Sequence, residues 1–164
     1  MGRFVNRYDC LEHFSAFLGG DLGKSILLYA SYEVLLNGFV LLLDGLDSSV
    51  GGVVKVYTSR VGEGPLPTEF DDAVAKGIRD KGGEYGTTTG RPRRIGWIDL
   101  PALKYAAEVN GITGLAFTRI DTFAGLEKIK ICTAYDLNGK KLTRMPQTFE
   151  ELAQCKPIYD EMPG

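Results

Sequence analysis

Cysteine and histidine are scarce in this chain. There is one histidine, His13, and three cysteines, Cys10, Cys132 and Cys155. The cysteines are odd in number and widely spaced, with no C-x-x-C pair and no metal-ligand pattern. They read as reduced thiols of a cytosolic protein, so a cytoplasmic location is expected and no metal site is assigned from them. Charge of one sign is also lacking. A formal net charge of -2 gives no general attraction to nucleic acid or to an anionic lipid surface, so any anion site has to come from local clustering. No long uninterrupted apolar run is present. The most apolar stretch, Ile26 to Leu43, is broken by Ser31, Glu33, Asn37 and Gly38. That excludes a confident membrane span and predicts a buried strand or helix. Arg3 and Arg7 lead into the polar run Tyr8 to His13 rather than into the apolar core of a signal peptide. No repeat and no low-complexity tract occurs.

The 164 residues suffice for one core, and length alone predicts one domain. Cues are weak over residues 1–50 and dense from 51 onward. Gly52 to Thr58 is β-branched and aromatic, which predicts a strand. Arg60 to Thr68 holds two glycines and two prolines and predicts a loop. Glu69 to Lys81 has helical spacing, with Phe70, Val74 and Ile78 on one face. Gly82 to Gly96 reads as a second loop. Asp99 caps a helix with Pro101 in its first turn, ended by Gly111. Leu115 to Ile120 and Ile129 to Tyr135 read as strands. Asn138-Gly139 signals a hairpin whose return is Lys141 to Arg144. Thr148 and Glu151 form a capping box for a short helix to Gln154. Alternating strands and helices predict an α/β class with a mainly parallel central sheet and flanking helices, in which the strands near Val53–Tyr57, Leu115–Ile120 and Ile129–Tyr135 share one sheet.

One segment carries the strongest chemistry. Thr87 to Arg94 reads T-T-T-G-R-P-R-R, three hydroxyls, one glycine and three arginines in eight residues. Arginine forks onto carboxylate or phosphate with two parallel hydrogen bonds. Threonine hydroxyls donate to the same oxygens, Gly90 lets the backbone approach a ligand, and Pro92 stiffens the loop so that less order is created on binding. The alternatives are a solvated basic turn and a nucleic-acid footprint. Three threonines beside the glycine argue against the first, and the slight acidity of the chain against the second.

A second candidate is Thr118-Arg119-Ile120-Asp121, at the end of an expected buried strand. Ligands of open α/β sheets bind at the carboxyl ends of strands. A carboxylate there accepts from guanine N1–H and the N2 amino group together, whereas adenine offers no donor at N1. An aspartate in this place also serves simply as a helix cap or turn residue.

Read in order, five blocks resemble the adenylosuccinate synthetase family. They are Gly52 to Glu69 (G-V-V-K-V-Y-T-S-R-V-G-E-G-P-L-P-T-E), Glu84 to Trp97 (E-Y-G-T-T-T-G-R-P-R-R-I-G-W), Thr118 to Asp121, Lys128 to Tyr135 (K-I-K-I-C-T-A-Y) and Cys155 to Gly164 (C-K-P-I-Y-D-E-M-P-G). The resemblance runs from about residue 51 to the end. It implies an incomplete P-loop-like, GTPase-related synthetase fold, with residues 51–164 as the C-terminal part of the domain and 1–50 as a divergent or truncated segment that packs less well. It also implies GTP- and magnesium-dependent joining of IMP and L-aspartate to adenylosuccinate, in AMP biosynthesis, by a cytoplasmic homodimer. Carried over by motif, Thr87, Thr88, Thr89, Gly90, Arg91, Pro92 and Arg93 form the aspartate-binding loop. Arg91 also reaches IMP, and Arg93 approaches the phosphate side of GTP. Val61 packs near the IMP ribose. Arg119, Ile120 and Asp121 hold guanine, with Arg119 standing where the family usually has lysine.

The resemblance also marks departures. The family's G-D-E-G-K loop supplies the base, a magnesium ligand and phosphate-binding amides. Gly20 to Lys24 reads G-D-L-G-K, with Leu22 in place of the glutamate and His13 before the motif instead of after it. Gly23 to Leu36 aligns better with a family strand, Ser31 or Tyr32 then taking the place of an IMP-binding glutamine. No catalytic residue and no magnesium ligand is therefore assigned, and little or no turnover is expected of this chain alone. The alternatives are a non-catalytic nucleotide- or anion-binding remnant, or a related synthetase acting on another purine nucleotide.

Overall fold

The computed structural model describes Ile26–Leu28 and residues 51–164. The loop Gly20 to Lys24, His13, Ser31, Tyr32, Cys10 and the expected looser packing of residues 1–50 lie outside the described residues, apart from the short strand β1 (Ile26–Leu28).

Two sheets are present among the described residues. The smaller is parallel throughout, in the order β1, β6 (Gly114–Thr118), β2 (Gly51–Lys55). Its central strand buries Leu115, Ala116 and Phe117 in succession, as expected of a parallel strand covered on both faces. The Val56 N–H still donates to the Thr118 carbonyl at 3.1 Å. The chain then leaves this sheet. From Tyr57 to Arg60 it forms β3, which runs antiparallel to β5 (Arg94–Asp99) in the second sheet. The single strand predicted over Gly52 to Thr58 is thus two strands that meet at Val56.

The larger sheet holds six strands in the order β3, β5, β7, β8. Strand β4 (Glu69–Phe70) also pairs with β5, and β9 (Lys156–Pro163) pairs with β7. The long strand β7 (Lys128–Leu137) turns back at Asn138-Gly139 into β8 (Lys140–Leu142), and β9 lies antiparallel along most of its length. Only β5 and β7 are parallel, at Ile98↔Ile131 and Asp99↔Cys132. Two expectations are corrected here. The smaller sheet alone is parallel, the larger being mixed and mostly antiparallel. The segments near Val53 and Leu115 do share a sheet, but β7 belongs to the other. Of its three partners, β8 is the expected hairpin return, whereas the sequence predicts no strand at β5 or β9. Strand β5 buries Ile95 to Asp99 without interruption, which hides any alternation. Strand β9 carries Pro157 and Pro163 near its two ends, which an edge strand tolerates.

Among the described residues, three α-helices flank the sheets. Helix α1 (Ala73–Gly82) begins at Asp72, whose carboxylate accepts from the Val74 and Ala75 N–H groups, and ends at Gly83 with φ +64°. It starts later than its spacing predicted, because Phe70 belongs to β4 and stacks on Trp97 with ring centroids 4.6 Å apart. Helix α2 (Leu100–Asn110) is capped by Asp99 and ended by Gly111 at φ +62°, as expected. Helix α3 (Phe149–Gln154) is capped by Thr148 through the Glu151 N–H. Tyr57, Trp97, Phe123, Ile78, Ile95 and Phe117 share one buried core. Cys132, Tyr135, Leu152 and Cys155 form a second, smaller cluster. Both thiols are unpaired and buried, and burial raises the pKa of Cys132 to about 12.

Candidate functional site

The threonine–arginine segment is a closed hairpin between α1 and β5. Its neck is the antiparallel bridge Tyr85↔Pro92. The Gly86 N–H donates to the Arg91 carbonyl at 2.8 Å, and the Arg93 N–H to the Glu84 carbonyl at 3.0 Å. A third bond, from the Gly90 N–H to the Gly86 carbonyl at 2.8 Å, folds the tip. Gly90 sits at φ +65°, a conformation that side chains other than glycine resist. Thr87, Thr88, Thr89, Arg91 and Pro92 are exposed on the tip, whereas Arg93 is half-buried at its base.

The three arginines do different things. Arg94 grips Glu69 with two parallel bonds and donates to the carbonyls of Gly62 and Gly64 at 3.1 and 2.8 Å. It is therefore a brace for the Arg60 to Thr68 loop and not a free anion donor, which corrects its place in the predicted set. That loop carries Val61, 73% exposed. Arg93 donates through Nη1 to Glu84 Oε2 at 3.1 Å. Arg91 stands exposed at the tip.

Glu84 was quoted in the sequence motif but given no role. It is 2% exposed and receives bonds from three side chains. Its Oε1 accepts from Lys55 Nζ at 2.5 Å and from the Tyr57 hydroxyl at 2.7 Å, while Oε2 faces Arg93. Burial alone would push this carboxyl up. Hydrogen bonds from Lys55 and Tyr57, with the charges of Lys55 and Arg93, outweigh burial and hold it below the ordinary glutamate value. The only signal available in the sequence was a glutamate just ahead of an arginine-rich loop.

Thr118 to Asp121 lies at the carboxyl end of β6, where Lys55 pairs in register with Thr118. Arg119 adopts a left-handed conformation, φ 65°, and opens a short 3-10 turn over Ile120–Phe123. Its carbonyl accepts from the Thr122 N–H and hydroxyl at 3.1 and 2.7 Å. Arg119 and Asp121 are exposed, and Ile120 packs against the main core. Both the strand end and the turn residue anticipated for Asp121 are present. Burial and the Glu84 bond raise the Tyr57 hydroxyl well above its ordinary value, and the charges of Arg119 and Asp121 bear on it in opposite senses. The Lys55–Tyr57–Glu84 cluster thus stands between the hairpin and the strand end. Among the described residues, no group of three or more His, Cys, Asp or Glu side chains is gathered at one place. No helix among them is long and apolar enough to cross a membrane.

The two sheets and their helices define a mixed α/β protein, and known proteins share its pattern. The sequence profile of adenylosuccinate synthetase matches residues 35–164. The adenylosuccinate synthetase of Caldanaerobacter subterraneus subsp. tengcongensis is 60% identical over 116 residues, covering 71% of this chain and 27% of that protein. That of Streptococcus sanguinis is 55% identical over 164 residues, covering 88% of this chain and 38% of that protein. The solved structure of fully ligated adenylosuccinate synthetase from Plasmodium falciparum superposes with a TM-score of 0.67 at 40% identity, over 71% of this chain and 28% of that one. The chain belongs to the adenylosuccinate synthetase family, a family of ligases of purine biosynthesis. It spans between 27% and 38% of the length of the curated relatives it matches.

Proposed function

We propose that this chain supplies the L-aspartate-binding loop and the guanine-contacting strand end of a GTP-dependent ligation of IMP and L-aspartate to adenylosuccinate. The closed hairpin supports this reading best, because its neck bonds fix the backbone before any ligand arrives. Thr87, Thr88 and Thr89 with the neighbouring loop amides donate to the aspartate carboxylates. Arg91 bridges towards IMP, Arg93 lies on the phosphate side, and Val61 packs near the ribose. Arg119 lays a flat cation on the guanine base while Asp121 accepts from N1–H and the N2 amino group. As in the family, the working protein is a cytoplasmic homodimer with a P-loop-like fold, of which 51–164 is the C-terminal part.

The described residues bind and orient. Gly20 to Lys24 carries Leu22 where the family motif has glutamate. This chain alone therefore binds nucleotide and amino acid without turnover. Calorimetry or ligand-observed NMR with GDP and ADP tests the assignment. GDP should bind at roughly millimolar affinity, about 4 kcal/mol, and ADP more weakly. Asp121→Asn should reduce the preference, since an amide cannot accept both hydrogen bonds. Equal binding of the two nucleotides, or a preference unchanged in Asp121→Asn, would contradict the guanine assignment.

A further inference from the structure

The cluster beneath the hairpin is unbalanced. One carboxylate, Glu84, faces two cations, Lys55 and Arg93, and the third partner, Tyr57, is held neutral. A buried charge placed only for stability is matched by its partners. Among the described residues, one positive charge is left over at this half-buried place. Ser59 adds only a neutral oxygen, which accepts from Lys55 at 3.2 Å. Arg93 touches Glu84 through Nη1 alone, and its Nε is buried without a hydrogen-bond partner among the described residues. A structural arginine would close a two-bond fork, as Arg94 does on Glu69. Arg93 is oriented by one bond, and most of its donors are uncommitted.

The backbone of Glu84 is equally committed. Its N–H closes α1 on the Arg79 carbonyl at 2.9 Å, and its carbonyl takes the Arg93 N–H. Glu84 therefore ties the end of α1, the carboxyl end of β2, the first residue of β3 and the base of the hairpin to one point.

We propose that Glu84 is a positioning residue of the candidate site, acting through Arg93: its carboxylate fixes the guanidinium at the base of the hairpin and gathers with it an excess positive charge that an incoming anionic ligand neutralises. The proposal rests on the anion-binding reading of the hairpin. It adds that the loop works only when braced from below, and that Lys55 at the end of β2 is part of the brace.

Side-chain NMR on the full chain with labelled arginine tests it. In the unaltered protein the Arg93 guanidinium should give resolved, slowly exchanging signals. In Glu84→Gln, exchange should speed up at least about tenfold, with the backbone amide chemical shifts of β7 and β9 unchanged. Should that variant not fold, the unaltered protein suffices. Acid titration should release the Arg93 guanidinium in step with the Glu84 carboxyl carbon, the groups facing Glu84 being Lys55, Tyr57 and Arg93. An Arg93 guanidinium indifferent to both changes would overturn the proposal. A titration with L-aspartate gives the functional arm. Glu84→Gln should weaken binding by about tenfold, and should add nothing once Arg93→Ala is present. Losses that simply add would also overturn the proposal. Absence of L-aspartate binding to the unaltered chain would sink the ligand reading of the hairpin alone, while the guanidinium result would still decide whether Glu84 positions Arg93.

Discussion

The hairpin Thr87 to Arg93 and the strand end Thr118 to Asp121 are both short, polar and exposed at their tips, yet they are held in different ways. The hairpin has a bonded neck, a glycine in the left-handed region and a buried carboxylate beneath it. The strand end has a short backbone turn that follows from β6, supported by the Thr122 hydroxyl on the Arg119 carbonyl and the Thr118 hydroxyl on the Val54 carbonyl, and its two charged side chains are exposed. The hairpin is thus ordered by its own backbone bonds and by an ion-pair network beneath it, and the strand end by a local turn and two threonine hydroxyls with no ion pair among the described residues. Substitutions should therefore cost stability at the first and leave it alone at the second.

The largest difference is expected between Glu84→Gln and Asp121→Ala. A glutamine at 84 must turn its NH2 towards Arg93 or towards Lys55 and Tyr57, opposing donor to donor. Both cations reach solvent, so the loss is smaller than for a fully buried pair, roughly 2 kcal/mol. Asp121→Ala should stay within about 0.5 kcal/mol. Urea unfolding of the two variants measures the gap. Equal losses would erase the contrast between the two sites.

A smaller effect is expected at the tip. Gly90→Val places a β-branched residue at φ +65°, with no close contact to relieve or worsen it. The cost is about 1–2 kcal/mol of backbone strain, read from the same unfolding curves. A neutral Gly90→Val would mean that the hairpin tip rearranges freely, and preorganisation would lose its support.

The third test is pH dependence, which separates two buried carboxylates of opposite sense. The Glu84 carboxyl is lowered in the folded protein. The stability it contributes is full above the ordinary glutamate value and is lost as pH falls through the folded value. Asp99 is raised by burial, against hydrogen bonds from the Tyr135 hydroxyl and the Ala102 N–H. Its contribution is full below the ordinary aspartate value and is lost as pH rises through the folded one. Glu84→Gln should flatten the acid-side fall in stability, and Asp99→Asn should flatten the loss on raising pH above the ordinary aspartate value. Unfolding measured at a series of pH values checks both slopes, and a parallel response of the two variants would contradict the assignment.

Much of this was legible in local sequence. Asp99, Pro101 and Gly111 bound α2, Asn138-Gly139 turned β7 into β8, and Thr148 with Glu151 opened α3, because caps and turns are made by residues near in sequence. The sheet arrangement was not legible. Val56 carries no mark of a strand leaving one sheet for another, and β5 and β9 lack the alternation that announces a strand. In the candidate site the donors were visible as residue types, but their use was not. Arg94 and Arg93 look alike in the motif. One is closed on Glu69, 25 residues away, and the other shares Glu84 with a lysine 29 residues upstream of it, distances that only the fold brings to zero.

The claim that joins these observations is that the hairpin is an anion-binding loop already shaped for its ligand. It is tested most directly by titrating L-aspartate into the isotope-labelled chain and following the backbone amides of residues 87–93. Shifts confined to those amides, saturating at millimolar ligand and abolished by Arg91→Ala without loss of the Tyr85↔Pro92 neck, are the predicted result. Amides that do not move, or that move equally in Arg91→Ala, would contradict it.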